Sequence, residues 1–593
     1  MGFSSFNPAW SAALLLGILA AGRGGRDPAG LLLYEIASIL LFIRTKDMAR
    51  PACRPLEWTI LIAAGFWGVS ALLSLPDTTH GIALFSILAA GILNFFTFAR
   101  TRDPRTSRTF FAAVIVLAAV LSLKIHLYPS APFLPNPNLE AGFLNLGILA
   151  TLAWILFGRS SGGAVFSGRV LQFGILVLVS SGLLLSFSIG ALLSLGAALT
   201  ALVFFGGREV RVTVLCFIGV LGGLALAFPP VIGAFAAKAG GLPSNLRRAV
   251  WSASAEAFRE RPVLGWGLGR FEQAYLLHRP PVEEGIARFE KSTGFAHSEF
   301  LQAAVEGGMT GLLSFLAILA GAACLARRAL RETAGPAGLP WESAAAALGG
   351  TAVLVHASID FNLHLPLFAM ISFFCLAEVL PAGGTVPGSA GKASGAALGI
   401  WAGAALVLLA SNVCARASRL LYRDGRPESA RSFLKAAAAL NPLDADSLKE
   451  LAWTAPPEER ERLLRQALRF RRGDHLLHAN LARHFHLLGR NGEALLSFQD
   501  ALDRNPGHVF HLSEMGDVLL ETGDLPEAFR RYRQAARIEP LFVLAHMRMG
   551  QILAAAGKKE EARACFRNAE RISGSGLKGG SDYSRRLLRV EPG

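Results

Sequence analysis

The sequence predicts an all-α protein: a polytopic bundle of about 12–13 transmembrane helices followed by a soluble α-solenoid. Three observations carry this. Hydrophobic residues make up 52% of the 593-residue chain and charged residues only 17%, against roughly 25% charged in soluble proteins. Apolar runs near the ~20 residues that cross a bilayer recur up to about residue 415 and then stop. Beyond them a 34-residue period begins.

In chain order the expected spans are 8–22, 29–44, 56–75, 79–99, 109–125, 141–157, 168–187, 188–206 and 209–228, then 302–326, 342–360, 364–381 and 395–414. The start, MGFSSFNPAWSAALLLGILAAG, lacks a basic n-region and reads as a retained first span. Basic short loops at 44–55, 99–108, 207–211 and 326–332 fall on one side when the spans alternate, and that side is expected to be cytoplasmic. Only 22–28, with two arginines, dissents. The extracytoplasmic side then holds a polar loop, 229–301, between the amino-terminal spans of 1–228 and the carboxy-terminal spans of 302–415. The stretch 356–366 and the tail 416–593 share that side.

The net charge of +15 is placed largely in arginines flanking membrane segments, so topology explains it better than nucleic-acid binding. The six cysteines show no CxxC pair and read as small apolar residues.

The tail repeats its small and aromatic positions. Gly489, Gly523 and Gly557 are 34 apart, as are Ala494, Ala528 and Ala562, then Phe498, Tyr532 and Phe566, then Ala501, Ala535 and Ala569. This is the tetratricopeptide pattern of helical hairpins, in which alanines admit close neighbours and an aromatic fills the groove. An earlier copy carries Gly425, Ala430, Leu434, Ala437 and Pro442, and a shortened one has TAPPEER in place of the usual turn, giving five units. Such an array binds peptides or protein partners, or acts as a spacer.

The polar loop contains SNLRRAVWSASAEAFRERPVLGWGLGRFEQAYLLH (244–278) and ends in AHSEFLQAAVEGGMTGLL (296–313). Arg247 four before Trp251, the GWGLG of 265–269 and the histidine–serine pair at 297–298 resemble the signature loop of the O-antigen ligase and polymerase family. HASIDFNLHLP (356–366) is similar to another segment of it. The resemblance implies a metal-independent membrane glycosyltransferase of the bacterial inner membrane that needs no cofactor. It takes a glycan from undecaprenyl diphosphate at the periplasmic face and passes it to a lipid A core sugar, a growing glycan or a protein hydroxyl. It maps the family histidine to His297 and a phosphate-binding arginine to Arg247.

The chemistry fits those residue types. An acceptor hydroxyl must lose a proton, and imidazole has the side-chain pKa nearest neutrality. A leaving diphosphate needs bidentate cationic donors, for which Arg247 and Arg248 come first and Arg270 and Arg288 stand in reserve. Glu299 is a candidate to orient His297, while His356 and Asp360 are candidates to line the glycan cleft. On this reading His297 and Arg247 meet at one cavity open to lipid.

Alternatives stay open. The competing readings are a helix-capping role for His297, interfacial anchoring for the arginines and, for the glycines, a turn, which is the favoured reading there. His356, Asp360 and His364, four apart, could share a helix face, although Asn362 and Pro366 argue for a break. Ile189 stands where a family arginine is common. Ligase, polysaccharide polymerase and protein O-oligosaccharyltransferase fit alike; against the alternative of a non-catalytic scaffold displaying the repeats stands the conjunction of His297, Arg247 and the glycine turn in one loop.

Overall fold

A computed structural model describes residues 11–21, 28–51, 53–75, 77, 80–128, 134, 136–158, 165–227, 232–233, 243–280, 292–334, 340–381, 385–386 and 392–574. The first nine helices are α1 (Ser11–Ala21), α2 (Pro28–Thr45), α3 (Arg54–Ser74), α4 (His80–Arg100), α5 (Pro104–Leu127), α6 (Pro137–Phe157), α7 (Val165–Leu185), α8 (Ile189–Phe205) and α9 (Arg208–Ala227). Two helices outside the set of candidate spans, α10 (Pro243–Glu260) and α11 (Phe271–His278), precede α12 (Glu299–Ala334), α13 (Trp341–Ala357), α14 (Pro366–Glu378) and α15 (Lys392–Arg423). The one strand pairing among the described residues is a two-residue antiparallel contact, Arg50–Pro51 with Thr385–Val386.

Among the described residues, nine helices are long and apolar enough to cross a bilayer: α2 to α7, α9, α12 and α15. The other four expected spans, α1, α8, α13 and α14, are helical but have at most 17 residues. They complete the bundle rather than each meeting the full bilayer length.

The bundle closes around α6, the most enclosed of the spans. Small residues set the approach distances, as membrane packing requires. A side chain added at Gly147 would strike Ala118 of α5, and one at Gly142 would strike His356 of α13. Asn145 of α6 donates to the Ala191 carbonyl (2.7 Å) and Ser194 hydroxyl (2.9 Å) of α8, satisfying its amide N–H groups in an apolar surrounding.

The tail forms five helical hairpins. The first hairpin pairs the end of α15 with α16 (Pro427–Leu440); the remaining pairs are α17 (Ala445–Trp453) with α18 (Pro457–Phe470), α19 (His475–Leu487) with α20 (Asn491–Arg504), α21 (Val509–Glu521) with α22 (Leu525–Ile538), and α23 (Val543–Ala555) with α24 (Lys559–Gly574). Gly425, Gly489, Gly523 and Gly557 all hold positive φ, between 71° and 87°, at the turn inside a hairpin, a conformation that glycine adopts at helix ends without steric cost. Tyr532 and Phe566 press on Gly516 and Gly550 of the preceding helix, positions too tight for a side chain. The expected boundary at residue 415 falls inside α15, whose 32 residues run unbroken from the bundle into the first hairpin.

The array touches the bundle on the side that carries α10 and α11. Arg279, just after α11, donates to Asn505 Oδ1 (3.2 Å) and to the Gly507 carbonyl (2.7 Å). The Gly473 amide and the Gln273 side chain both reach the Asp77 carbonyl, at 3.4 and 3.2 Å. The loop at residue 77, the loop carrying His297 and the repeats therefore share one side of the bundle.

Candidate active site

A break in α12 organises the site. Gly308 adopts φ 60° within the helix, which frees carbonyls that a straight helix would engage. The GWGLG loop takes them up: Trp266 N donates to Val305 O and Gly267 N to Glu306 O, both at 2.9 Å, and Met309 N returns a bond to Pro262 O at 2.7 Å. Gly265, Gly267 and Gly269 have φ of 69°, 105° and 78°. Side chains at Gly265 and Gly269 would strike the backbones of α12 and of the start of α4. These glycines form a tight turn docked on two helices.

Two indoles fasten the neighbouring segments. Trp266 Nε1 donates to Ala257 O of α10 (2.9 Å), and Trp251 Nε1 donates to Ala296 O (3.0 Å). Trp251 thereby fixes α10 against the stretch that carries His297. Arg247, four residues earlier on the same helix face, is brought to the same place.

His297 precedes the N-cap Ser298 and is one of two non-glycine residues with positive φ among those described, at 51°. Its Nδ1 lies 3.5 Å from Asp360 Oδ1, ion-pair range and long for a hydrogen bond. Arg247 Nη2 lies 3.9 Å from Asp360 Oδ2. Asp360 is 1% exposed; His297 and Arg247 side chains are 28% and 34% exposed. His297 Nδ1 is itself buried, so the exposure of the ring falls elsewhere on it. Burial opposes ionisation of Asp360, but the His297 and His356 imidazoles and the Phe361 amide hold its carboxyl below the usual carboxylate range.

The other candidates separate. His356 is buried at the end of α13, wedged between Gly142 and Gly190 beside the Asp360 cluster. Glu299 is engaged away from His297: its Oε2 lies 2.9 Å from His364 Nδ1 and its Oε1 accepts from Leu363 N at 2.8 Å. Asp360 occupies the orienting place instead. Arg270 pairs with Asp77 at 3.0 Å and with Gln273 at 2.9 Å, and its burial lowers its pKa. Arg248 is exposed on α10, and Arg288 lies outside the described residues. The helix ends at Ala357, and Asn362–His364 form a 3-10 turn, so His356, Asp360 and His364 do not share a helix face. Ile189, at the start of α8, is followed by Gly190, which packs on His356 and Ile359, so the missing arginine would have stood close to this cluster.

The cavity expected to be shared by His297 and Arg247 does not coincide with the apolar cavity between the spans. A largely apolar cavity of about 570 Å³ lies between α3, α4, α12, α13 and α14, but neither residue lines it. Its polar end is Glu299, Gln302, Glu306 and His364. What unites His297 and Arg247 is the Asp360 carboxylate. Phe361 stands beside both regions, stacked on Phe295 at 4.4 Å and edge-on to His297 at 5.2 Å. Gln302 and Glu306 went unread in the sequence because they sit in an apolar helical pattern and are recognisable only from the facing GWGLG loop.

Fold and site together define a polytopic all-α membrane protein with a histidine–aspartate–arginine cluster at one end of its bundle and a repeat array on the same side. The family model for the O-antigen ligase matches residues 174–316, from α7 through His297, and the model for the tetratricopeptide repeat matches 544–575. Part of the chain is thus similar to the O-antigen ligase family, and a later stretch to the tetratricopeptide repeat. No curated protein matches it. Among solved structures, MamA is 18% identical, with 27% of this chain and 96% of that chain covered at a TM-score of 0.26. YrrB is 20% identical (29% and 91% covered, TM-score 0.24), and pilF of Pseudomonas aeruginosa 18% identical (31% and 93%, TM-score 0.25).

Proposed function

We propose that the protein transfers a glycan from a polyprenyl-diphosphate carrier to an acceptor hydroxyl at the periplasmic face of a bacterial inner membrane. The convergence of His297, Arg247 and Asp360 from three separate segments is the observation that carries this reading. Asp360, 3.5 Å from His297 Nδ1, closes to hydrogen-bond distance when substrate binds and fixes the tautomer in which Nε2 holds a free lone pair. That nitrogen takes the acceptor's proton as its oxygen attacks the anomeric carbon and the carbon–diphosphate bond breaks. Arg247, only loosely paired at 3.9 Å, swings onto the diphosphate and stabilises the charge that develops there.

Supporting this, the apolar cavity beside the site suits the isoprenoid chain of the carrier. The repeat array on the same side favours a protein partner or acceptor reaching the site. The test is transfer by full-length protein in proteoliposomes loaded with an undecaprenyl-diphosphate-linked glycan. Asp360→Asn should lower kcat on the order of 10²-fold or more by reversing the tautomer, and Arg247→Ala should lower kcat/KM for the donor by on the order of 10²-fold. Wild-type turnover in both variants at equal expression sinks the assignment.

A further inference from the structure

Outside the active site, one side-chain cluster stands out. His475 opens α19, while His508 and His511 sit at the start of α21 in the next hairpin, three apart and so on one helix face. One ring nitrogen from each lies within 4.8 Å of the other two. His475 Nδ1 and His511 Nε2 face each other at 2.9 Å, and His508 stacks on His511 with ring centroids 3.6 Å apart. His508 Nε2 and His511 Nδ1 are buried without a hydrogen-bond partner, in residues 4% and 0% exposed. Orphaned nitrogens so deep in a fold need an explanation.

We propose that His475, His508 and His511 bind a divalent transition-metal ion of the zinc class in the seam between the third and fourth hairpins of the array. Three imidazoles are the ligand type such ions prefer. Zinc–nitrogen bonds of about 2.0–2.1 Å span a tetrahedral edge of about 3.3 Å, so the 2.9 Å pair needs only a few tenths of an ångström of opening. His511 turns its Nδ1 toward Glu514 Oε2 at 3.8 Å, and Arg483 holds that carboxylate with two bonds of 2.9 Å. A carboxylate behind a ligating histidine is the usual arrangement around a bound metal. With three protein ligands, the fourth position is left to water or an outside group.

The register of the repeats gives an independent sign. His508 is the N-cap of its helix, the place held by Asp474 one repeat earlier. Aspartate is a far better cap than histidine, and the His508 bond to the His511 amide is long, at 3.3 Å. Where the two preceding hairpins use Asp444 and Asp474, this one places an imidazole that faces two others, while the next hairpin begins at Phe542 with no side-chain cap. The seam is also where Arg279 docks, because Asn505 accepts from Arg279 and faces His475 Nε2 at 3.2 Å. A metal held there braces the array at its contact with the segment that follows α11.

The experiment uses full-length protein in detergent, purified on a tag without histidines, stripped with a chelator and titrated with Zn²⁺ by calorimetry and with Co²⁺ by visible absorption. One ion per chain and a tetrahedral Co²⁺ spectrum are expected, with a higher Tm in Zn²⁺. His475→Ala and His511→Ala should weaken binding at least about 100-fold. His508→Ser keeps a good cap while removing the imidazole, so it should melt at or above the wild-type temperature without metal and still bind at least about 10-fold more weakly. Absence of saturable binding in wild type, or wild-type affinity in these variants, overturns the proposal in favour of a neutral hydrogen-bonded chain from Asn505 through His475 to His511. Should the alanine variants fail to fold, the wild-type Co²⁺ spectrum and the serine variant decide it.

Discussion

His297 holds a left-handed backbone that costs about 1–3 kcal/mol in a residue other than glycine. Nothing in packing demands an imidazole there, since the ring is partly exposed and its nearest charged group is Asp360. Replacing it by glycine should therefore relieve strain while removing the proposed base. His297→Gly is expected to raise the melting free energy by about 1 kcal/mol and to abolish transfer. A clear loss of stability in thermal melts would make the residue a structural one. A second prediction concerns His364. Burial alone would lower its pKa, but the Glu299 carboxylate and Glu306 raise it above the ordinary histidine value. A group whose pKa is higher in the folded chain stabilises fully below its unfolded value, about 6.5, and loses that contribution as pH rises through the folded value. Melting temperature should thus fall as pH rises above about 6.5, and Glu299→Gln should flatten that dependence; an unchanged slope in the variant refutes the pairing.

At the scale of elements, the GWGLG loop and the kinked α12 form one unit. A methyl at Gly265 meets the α12 backbone and must adopt φ 69°. Gly265→Ala should cost about 2 kcal/mol or more, seen as faster proteolysis of the 243–280 loop and a loss of transfer. Normal protease resistance would show the contact to be dispensable. Local pattern made much of this readable. The repeat helices followed from a period, whereas Arg247 and His297 were singled out by the resemblance of their motifs to the ligase-family loop. Asp360 was visible as a residue but not in its role, because a helix-based reading of residues 356–364 places it on a face with His356 and His364, whereas a turn after Ala357 swings it toward His297. The Glu299–His364 pair was hidden for the same reason: the contact crosses two segments whose relative placement is set by packing. The histidine cluster of the array escaped because its members fall in different repeats, where each alone reads as a cap or surface residue.

For the whole molecule, the decisive contact is between loop and array. Arg279 contributes two bonds to it, and Gln273 packs on Gly473. Arg279→Ala combined with Gln273→Ala should loosen this dock. Cysteines introduced at positions 280 and 507 should then cross-link several-fold more slowly than in the otherwise wild-type chain. Equal rates would locate the docking energy elsewhere. Because α15 continues without interruption from among the spans into the first hairpin, there is no hinge between the two halves. A 32-residue helix is about 48 Å long, long enough to act as a lever arm. A force on the array would tilt a rod packed among the spans, so any displacement of the tail is mechanically geared to the packing of the bundle.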